Sequence, residues 1–183
     1  TTPMERRKDA LVGVARMIDA ANAIGNSTMP DGRTTIGYLE VKPNSTNVIP
    51  GQVFFRADIR HPNAEKLDEM EDKYHKTCRD ICKELSLKLD FKRIWYSEPV
   101  AFDTKCIAAV QNAADSLKLP NQKITSGAGH DAVYISRVAP TAMIFIPCED
   151  GISHNEIEEA TPEDLAAGCN VLANAMISCA NND

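Results

Sequence analysis

Apolar residues recur at helical spacing from Met4 to about Ile24, with Leu11, Val14, Ala15, Ile18 and Ala21 on one side. Pro3 suits a first helical turn, and Gly25-Asn26 followed by Pro30-Asp31-Gly32 ends the helix and turns the chain. Thr34 to Val41 reads as a strand and Pro43 to Asn47 as a loop. Val48 to Ile59 reads as a second strand, broken early by Pro50-Gly51. Its alternation puts Val53, Phe55, Ala57 and Ile59 on one face and Phe54, Arg56, Asp58 and Arg60 on the other. Pro62 stops this strand, and Asn63 is a good cap for a helix carrying Leu67, Met70, Tyr74, Cys78, Ile81 and Leu85 on one stripe. Leu87, Leu89 and Phe91 then alternate with Lys88, Asp90 and Lys92, which predicts a third strand as far as Trp95. The order α-β-β-α-β implies an α+β layer, an antiparallel sheet with helices on one face.

The pattern changes between about Ser97 and Phe102, where a domain boundary is placed. Asp103 is positioned to cap a helix through Leu117, ended by Pro120. Gln122 to Thr125 predicts a short strand, and Ser126 to Asp131 a small-residue turn entering a short helix near Ala132 to Ser136. Ala142 to Ile146 is continuously apolar, the pattern of a strand buried on both faces. Thr161, Pro162, Glu163 and Asp164 combine a cap, a first-turn proline and first-turn acids. The helix they start runs to about Ala180, with Leu165, Cys169, Leu172, Ala173 and Met176 as its apolar stripe. This second half reads as α/β.

The chain has 183 residues and a net charge of −6, with a pI near 5.2. That surplus of acid argues against nucleic acid as a partner, since phosphates need cations. The apolar run at Thr141 to Pro147 is far short of a membrane span. The six cysteines are scattered and form no C-x-x-C pair, so a reduced, cytoplasmic protein is expected. Cys78 and Cys82 read as small core residues, and His75 as a solvated residue of the charged helix.

Three clusters carry candidate chemistry. His154 lies in the Gly151 to Glu156 loop after the apolar run; it reads as a metal ligand or base, or as a loop histidine bonded to a backbone carbonyl. Ser126 to Ala132 exposes backbone N–H groups that suit an anion, or simply starts a helix. Adjacent His130 and Asp131 do not face each other on a helix. Asn47 with Arg60 and His61 forms the third cluster. Arg60 suits a substrate carboxylate, or pairs with Asp58 or a helix acid at the surface.

Thr1 to Ala10, Pro43 to Gly51, Asp58 to Pro62, Ser126 to Ala132 and Gly151 to Asn155 resemble, in this order, the N-carbamoyl-L-amino-acid and allantoate amidohydrolases. The resemblance covers nearly the whole chain. It implies that residues 1–98 are a lid and dimerisation domain, and that residues 99–183 are the last segment of an α/β two-metal hydrolase domain. It implies a homodimer acting on a ureido or carbamoyl compound with a free carboxylate. In the family pattern His154 is a metal ligand, and Asn47 and Arg60 hold the substrate carboxylate across the dimer. The Gly127, Ala128 and Gly129 backbone helps bind substrate, and His130 joins them as a substrate-binding residue. The family's other ligands to two divalent ions (zinc, manganese, cobalt or nickel), its glutamate general base and a lid histidine precede Thr1. The chain alone is therefore expected to bind no metal and to be inactive. The reaction implied is attack of a metal-activated water on a carbamoyl carbon. Allantoate and beta-ureidopropionate, or the substrates of an aminoacylase or peptidase, remain alternatives, as does a non-catalytic lid fragment.

Overall fold

The computed structural model describes residues 1–181; Asn182 and Asp183, which end the expected 99–183 segment, lie outside the described residues. The described residues form two compact units, the first Thr1–Pro99 and the second beginning at Val100.

In the first unit, helix α1 (Ala10–Ser27) and helix α2 (Ala64–Glu84) bracket a hairpin of β1 (Arg33–Lys42) and β2 (Gln52–Arg60). Helix α1 starts later than the periodicity suggested. Asp9 is its cap, accepting from the Leu11 and Val12 N–H groups at 3.0 and 3.2 Å, and Met4–Arg6 forms a separate 3-10 turn. The charged run from Glu5 to Lys8 has no apolar face to bury, so nothing draws it into the helix. Its buried side is Val14, Met17, Ala21 and Ile24, whereas Ala15 and Ile18 of the expected stripe lie outside. Helix α2 matches its expected stripe: Leu67, Met70, Tyr74, Cys78 and Ile81 are buried and Leu85 packs against them. Asn63 caps it by accepting from the Lys66 N–H at 2.9 Å.

The two strands pair antiparallel from Arg33 opposite Arg60 to Lys42 opposite Gln52. The register slips between Thr35 and Tyr38, a bulge that puts Ile36 and Gly37 against Ala57. Val53, Phe55 and Ile59 face the helices as expected, but Ala57, at the bulge, is exposed. The expected third strand forms no ladder. Leu87, Leu89 and Phe91 do point inward onto the α1–α2 core, and Leu87 comes so close to α1 that a Cβ on Gly13 would meet it at 2.6 Å. Alternation dictates which side chains turn inward; a ladder also needs backbone pairing, and no strand pairs with this segment among the described residues.

The second unit contains α3 (Thr104–Ser116), the short α4 (Asp131–Ile135) and α5 (Pro162–Asn181). Asp103 caps α3, accepting from the Lys105 and Cys106 N–H groups at 2.9 and 2.8 Å. Thr161 caps α5: its hydroxyl accepts from the Asp164 N–H at 3.1 Å and donates to the Asp164 carboxylate at 2.7 Å. Helices α3 and α5 pack through Ala113, Ala114, Val171 and Ala175. The expected stripe of α5 is therefore on the wrong side: Leu165, Leu172 and Met176 are at least half exposed. Small residues let the backbones approach and form the buried face, while the larger apolar residues point outward.

Neither Gln122 to Thr125 nor Ala142 to Ile146 forms a strand among the described residues. The first is exposed and has no pairing partner. The second is covered on one side only. Ile144 packs on the α3–α5 core, and Ile146 lies 2.6 Å from where a Cβ on Gly168 would sit. Phe145 faces away and is 45% exposed.

Candidate functional site

Arg60 ends β2, and its guanidinium donates to both oxygens of Asp58 at 2.7 and 2.9 Å. Residues two apart on a strand share a face, so the pair is local. The side chain remains about half exposed, at 52%. Asn47 sits in the loop at the other end of the same hairpin, exposed, with its Oδ1 accepting from the Ser45 hydroxyl at 3.4 Å. Eight strand steps from Gln52 to Arg60 span about 27 Å at the usual antiparallel rise. Within one chain, Asn47 and Arg60 cannot touch the same carboxylate. His61 accepts from the Asn63 N–H through Nδ1 at 3.0 Å and so supports the turn into α2.

In the second unit, the loop from Ser126 to His130 closes on itself. The Ser126 hydroxyl meets His130 Nε2 at 2.6 Å and accepts from the Ala128 N–H at 3.2 Å. The His130 ring packs edge-on against Phe145, with centroids 5.5 Å apart, which ties this loop to the apolar segment. A Cβ on Gly127 or Gly129 would meet nothing within 4 Å, so packing inside this chain does not demand glycine at either position. Asp131 begins α4 and does not pair with His130 as a dyad, as expected for neighbours at a helix start.

His154 is exposed and has φ of 56°, a left-handed backbone uncommon for this residue. Its N–H donates to Glu158 Oε2 at 2.7 Å, and the Cys148 thiol donates to Glu158 Oε1 at 3.9 Å. The Glu158 carboxylate thus pins the loop and leaves the imidazole turned to solvent. The expected alternative of a ring bonded to a backbone carbonyl is not what forms. Phe145 and Glu158 were not singled out from the sequence, and Ser126 only as the first residue of its cluster. The four-residue spacings from Ser126 to His130 and from His154 to Glu158 were the only signals available.

His75 is not simply solvated, since it stacks on Phe91 at 4.2 Å between centroids. A shallow depression of 540 Å³ lies on α1 and α2, lined by residues such as Val12, Asp19 and Thr77, and holds none of the candidate residues.

The family model described as peptidase family M20/M25/M40 matches residues 5–178. The chain belongs to this family. An N-carbamoyl-L-amino-acid amidohydrolase of Rhizobium meliloti is 37% identical over 180 residues, covering 98% of this chain and 43% of the relative. The allantoate amidohydrolase of Escherichia coli (strain K12) is 34% identical over 177 residues, covering 94% of this chain and 42% of the relative. A crystal structure of an amidase of the hydantoinase/carbamoylase family from Burkholderia vietnamiensis shares 50% identity and a TM-score of 0.90, over 97% of this chain and 43% of that one. Aminopeptidase PepT from Bacillus cereus, at 20% identity and a TM-score of 0.71, shares the fold. The chain thus spans less than half the length of these M20 relatives.

Amidohydrolases of the M20 family are metal-dependent. Among the described residues of this member, no three His, Cys, Asp or Glu side chains converge so as to hold a metal ion. His154 is a single exposed imidazole, and one ligand falls short of the three or four that a zinc centre takes from protein. These residues do not fit a complete metal site. No helix among them is long and apolar enough to cross a membrane.

Proposed function

We propose that this chain is the carboxylate-binding and dimer-forming part of a cytoplasmic amidohydrolase that cleaves the carbamoyl C–N bond of N-carbamoyl-L-amino acids. Family membership and relatives with that printed name support the reaction class. The observation that carries the mode of binding is the separation of Asn47 and Arg60 along one hairpin. A single substrate carboxylate held by both must draw them from two copies of the chain, which makes the active form a homodimer assembled through residues 1–98, the lid.

Arg60 presents a planar guanidinium to the carboxylate, oriented by Asp58, while Asn47 of the second copy adds an amide N–H. The backbone N–H groups at Gly127, Ala128 and Gly129, with His130, bind the polar body of the substrate. His154 contributes one ligand to a centre of two divalent ions whose other ligands lie in the additional length of the relatives. The general base belongs to that same additional length. The outward-facing Leu165, Leu172 and Met176 favour more chain packing on α5, since a run of large apolar residues is seldom left in water.

Activity measurements separate the alternatives. A polypeptide carrying this chain at the full length of its relatives hydrolyses N-carbamoyl amino acids, and the chain alone does not. Faster turnover of allantoate than of any N-carbamoyl amino acid would replace the substrate assignment and keep the site. Full activity of the isolated chain would overturn the reading.

A further inference from the structure

His61 and His130 both bond through a ring nitrogen, but through different ones. His61 accepts the Asn63 N–H at Nδ1, so a neutral His61 ring carries its hydrogen on Nε2. His130 instead meets the Ser126 hydroxyl through Nε2, at 2.6 Å. An N–H donor keeps its heavy atom about 2.7–3.2 Å from an oxygen, whereas a hydroxyl donor works at about 2.5–3.0 Å. The short separation therefore makes Ser126 the donor. The partners agree with this direction. The Ser126 oxygen already accepts from the Ala128 N–H at 3.2 Å, and Nε2 is the acceptor present for its proton among the described residues. A ring nitrogen that accepts has no hydrogen, so a neutral His130 carries it on Nδ1, the reverse of the form imidazole favours in water. The ring is also held in place. Phe145 packs edge-on against it with centroids 5.5 Å apart. A half-turn of the ring would put Cε1 where Nε2 sits and forfeit the bond to Ser126. The His130 side chain does not cap α4, and its Nδ1 has no hydrogen-bond partner among the described residues.

We propose that Ser126 is a positioning residue: its hydroxyl fixes the neutral His130 ring with hydrogen on Nδ1, and that N–H is the donor offered to an oxygen acceptor of the substrate. The inference rests on the reading of His130 as a substrate-binding residue and gives that residue a defined polarity. A ring fixed this way offers a hydrogen to a carbonyl or carboxylate oxygen and rejects a substrate N–H at the same place. A ring free to exchange tautomers would do either, and would be in the productive form only part of the time. Ser126 thus acts through His130 and touches no reacting atom. Only a hydroxyl that both accepts from Ala128 and donates to Nε2 can transmit this, so threonine is the one natural replacement expected to serve.

The test labels histidine isotopically in the full-length polypeptide and reads long-range nitrogen–hydrogen NMR correlations at mildly alkaline pH, where imidazoles are neutral. These correlations show which ring nitrogen bears the hydrogen, and His130→Gln and His61→Gln assign the signals. The expected result is hydrogen on Nδ1 in His130 and on Nε2 in His61, the internal control. Ser126→Ala moves the His130 hydrogen to Nε2, and Ser126→Thr keeps it on Nδ1. Turnover of an N-carbamoyl amino acid by Ser126→Ala falls about tenfold in kcat/KM, chiefly through KM, as for the loss of one oriented hydrogen bond. Ser126→Thr restores it, and the unfolding midpoint of both variants stays near that of the parent. Hydrogen on Nε2 of His130 in the parent would overturn the proposal. So would a tautomer unmoved in Ser126→Ala, or one that moves with no change in KM. A parent that turns over no N-carbamoyl amino acid would instead sink the substrate reading, and the NMR signals report the tautomer independently of it.

Discussion

Asp58 grips Arg60 through two parallel hydrogen bonds of 2.7 and 2.9 Å, formed between residues two apart on the exposed face of one strand. The pair is solvated enough that its net contribution to stability is about 0–1 kcal/mol. Its value is directional: a long flexible side chain is held ready at the end of β2. In the full-length enzyme, Asp58→Ala is expected to raise KM for carboxylate substrates and leave the unfolding midpoint nearly unchanged. Arg60→Lys, which loses the planar two-point fit, raises KM by about tenfold or more. Steady-state kinetics with a carboxylate substrate and its amide analogue check this. Equal effects on both substrates would remove Arg60 from carboxylate binding.

Tyr74 is the most buried large residue of the first unit, at 1% exposure, and its hydroxyl finds no hydrogen-bond partner among the described residues. The Cys78 thiol adds to the effect of burial, and a thiol is a weak partner. Burial pushes the phenol far above its ordinary pKa, so it stays neutral. Tyr74→Phe removes an unpaired polar group and keeps the ring. It is expected to change stability by less than about 1 kcal/mol or to stabilise, whereas Tyr74→Ala costs about 3–5 kcal/mol. Urea unfolding of both variants decides it, and a large loss in the phenylalanine variant would show that the hydroxyl is satisfied after all.

Asp103 is held below the ordinary aspartate pKa, first by the Cys106 N–H and also by the Lys105 N–H and ammonium. A carboxylate with a lowered folded-state pKa stabilises the fold at pH above its unfolded-state pKa. That stabilisation fades as pH falls through the ordinary aspartate range and is gone below the folded-state value. Asn is also a good cap but does not titrate. The second unit of Asp103→Asn should therefore lose less stability between neutral and acid pH than the wild type. Thermal unfolding across that range is the measurement, and identical pH slopes would contradict it.

The sequence was most legible where local chemistry decides the outcome. Asn63, Asp103 and Thr161 all cap the helices expected of them, because a short polar side chain before an apolar-periodic run satisfies orphan N–H groups wherever the helix packs. It was least legible where a partner decides. Leu165, Leu172 and Met176 make a convincing stripe, yet Val171 and Ala175 face α3. Leu87 to Phe91 alternate like a strand and bury like one, without a ladder. In the site, Arg60 and His154 could be singled out by residue type and position. That Asn47 and Arg60 stand at opposite ends of the second strand followed already from the expected loop before Val48; the structure adds the pairing from Lys42–Gln52 to Arg33–Arg60. Glu158 and Ser126 act through loop closure, which leaves little trace in hydrophobic pattern.

Subunit mixing tests the two-copy carboxylate site most directly. Full-length chains carrying Asn47→Ala and Arg60→Ala are each expected to be nearly inactive as homodimers. Dissociated, mixed and reassembled, they form heterodimers in which one site receives the intact Asn47 of one copy and the intact Arg60 of the other. The expected result is recovery of a substantial fraction of wild-type turnover on N-carbamoyl amino acids. Reassembled heterodimers that remain as inactive as either parent would contradict the account.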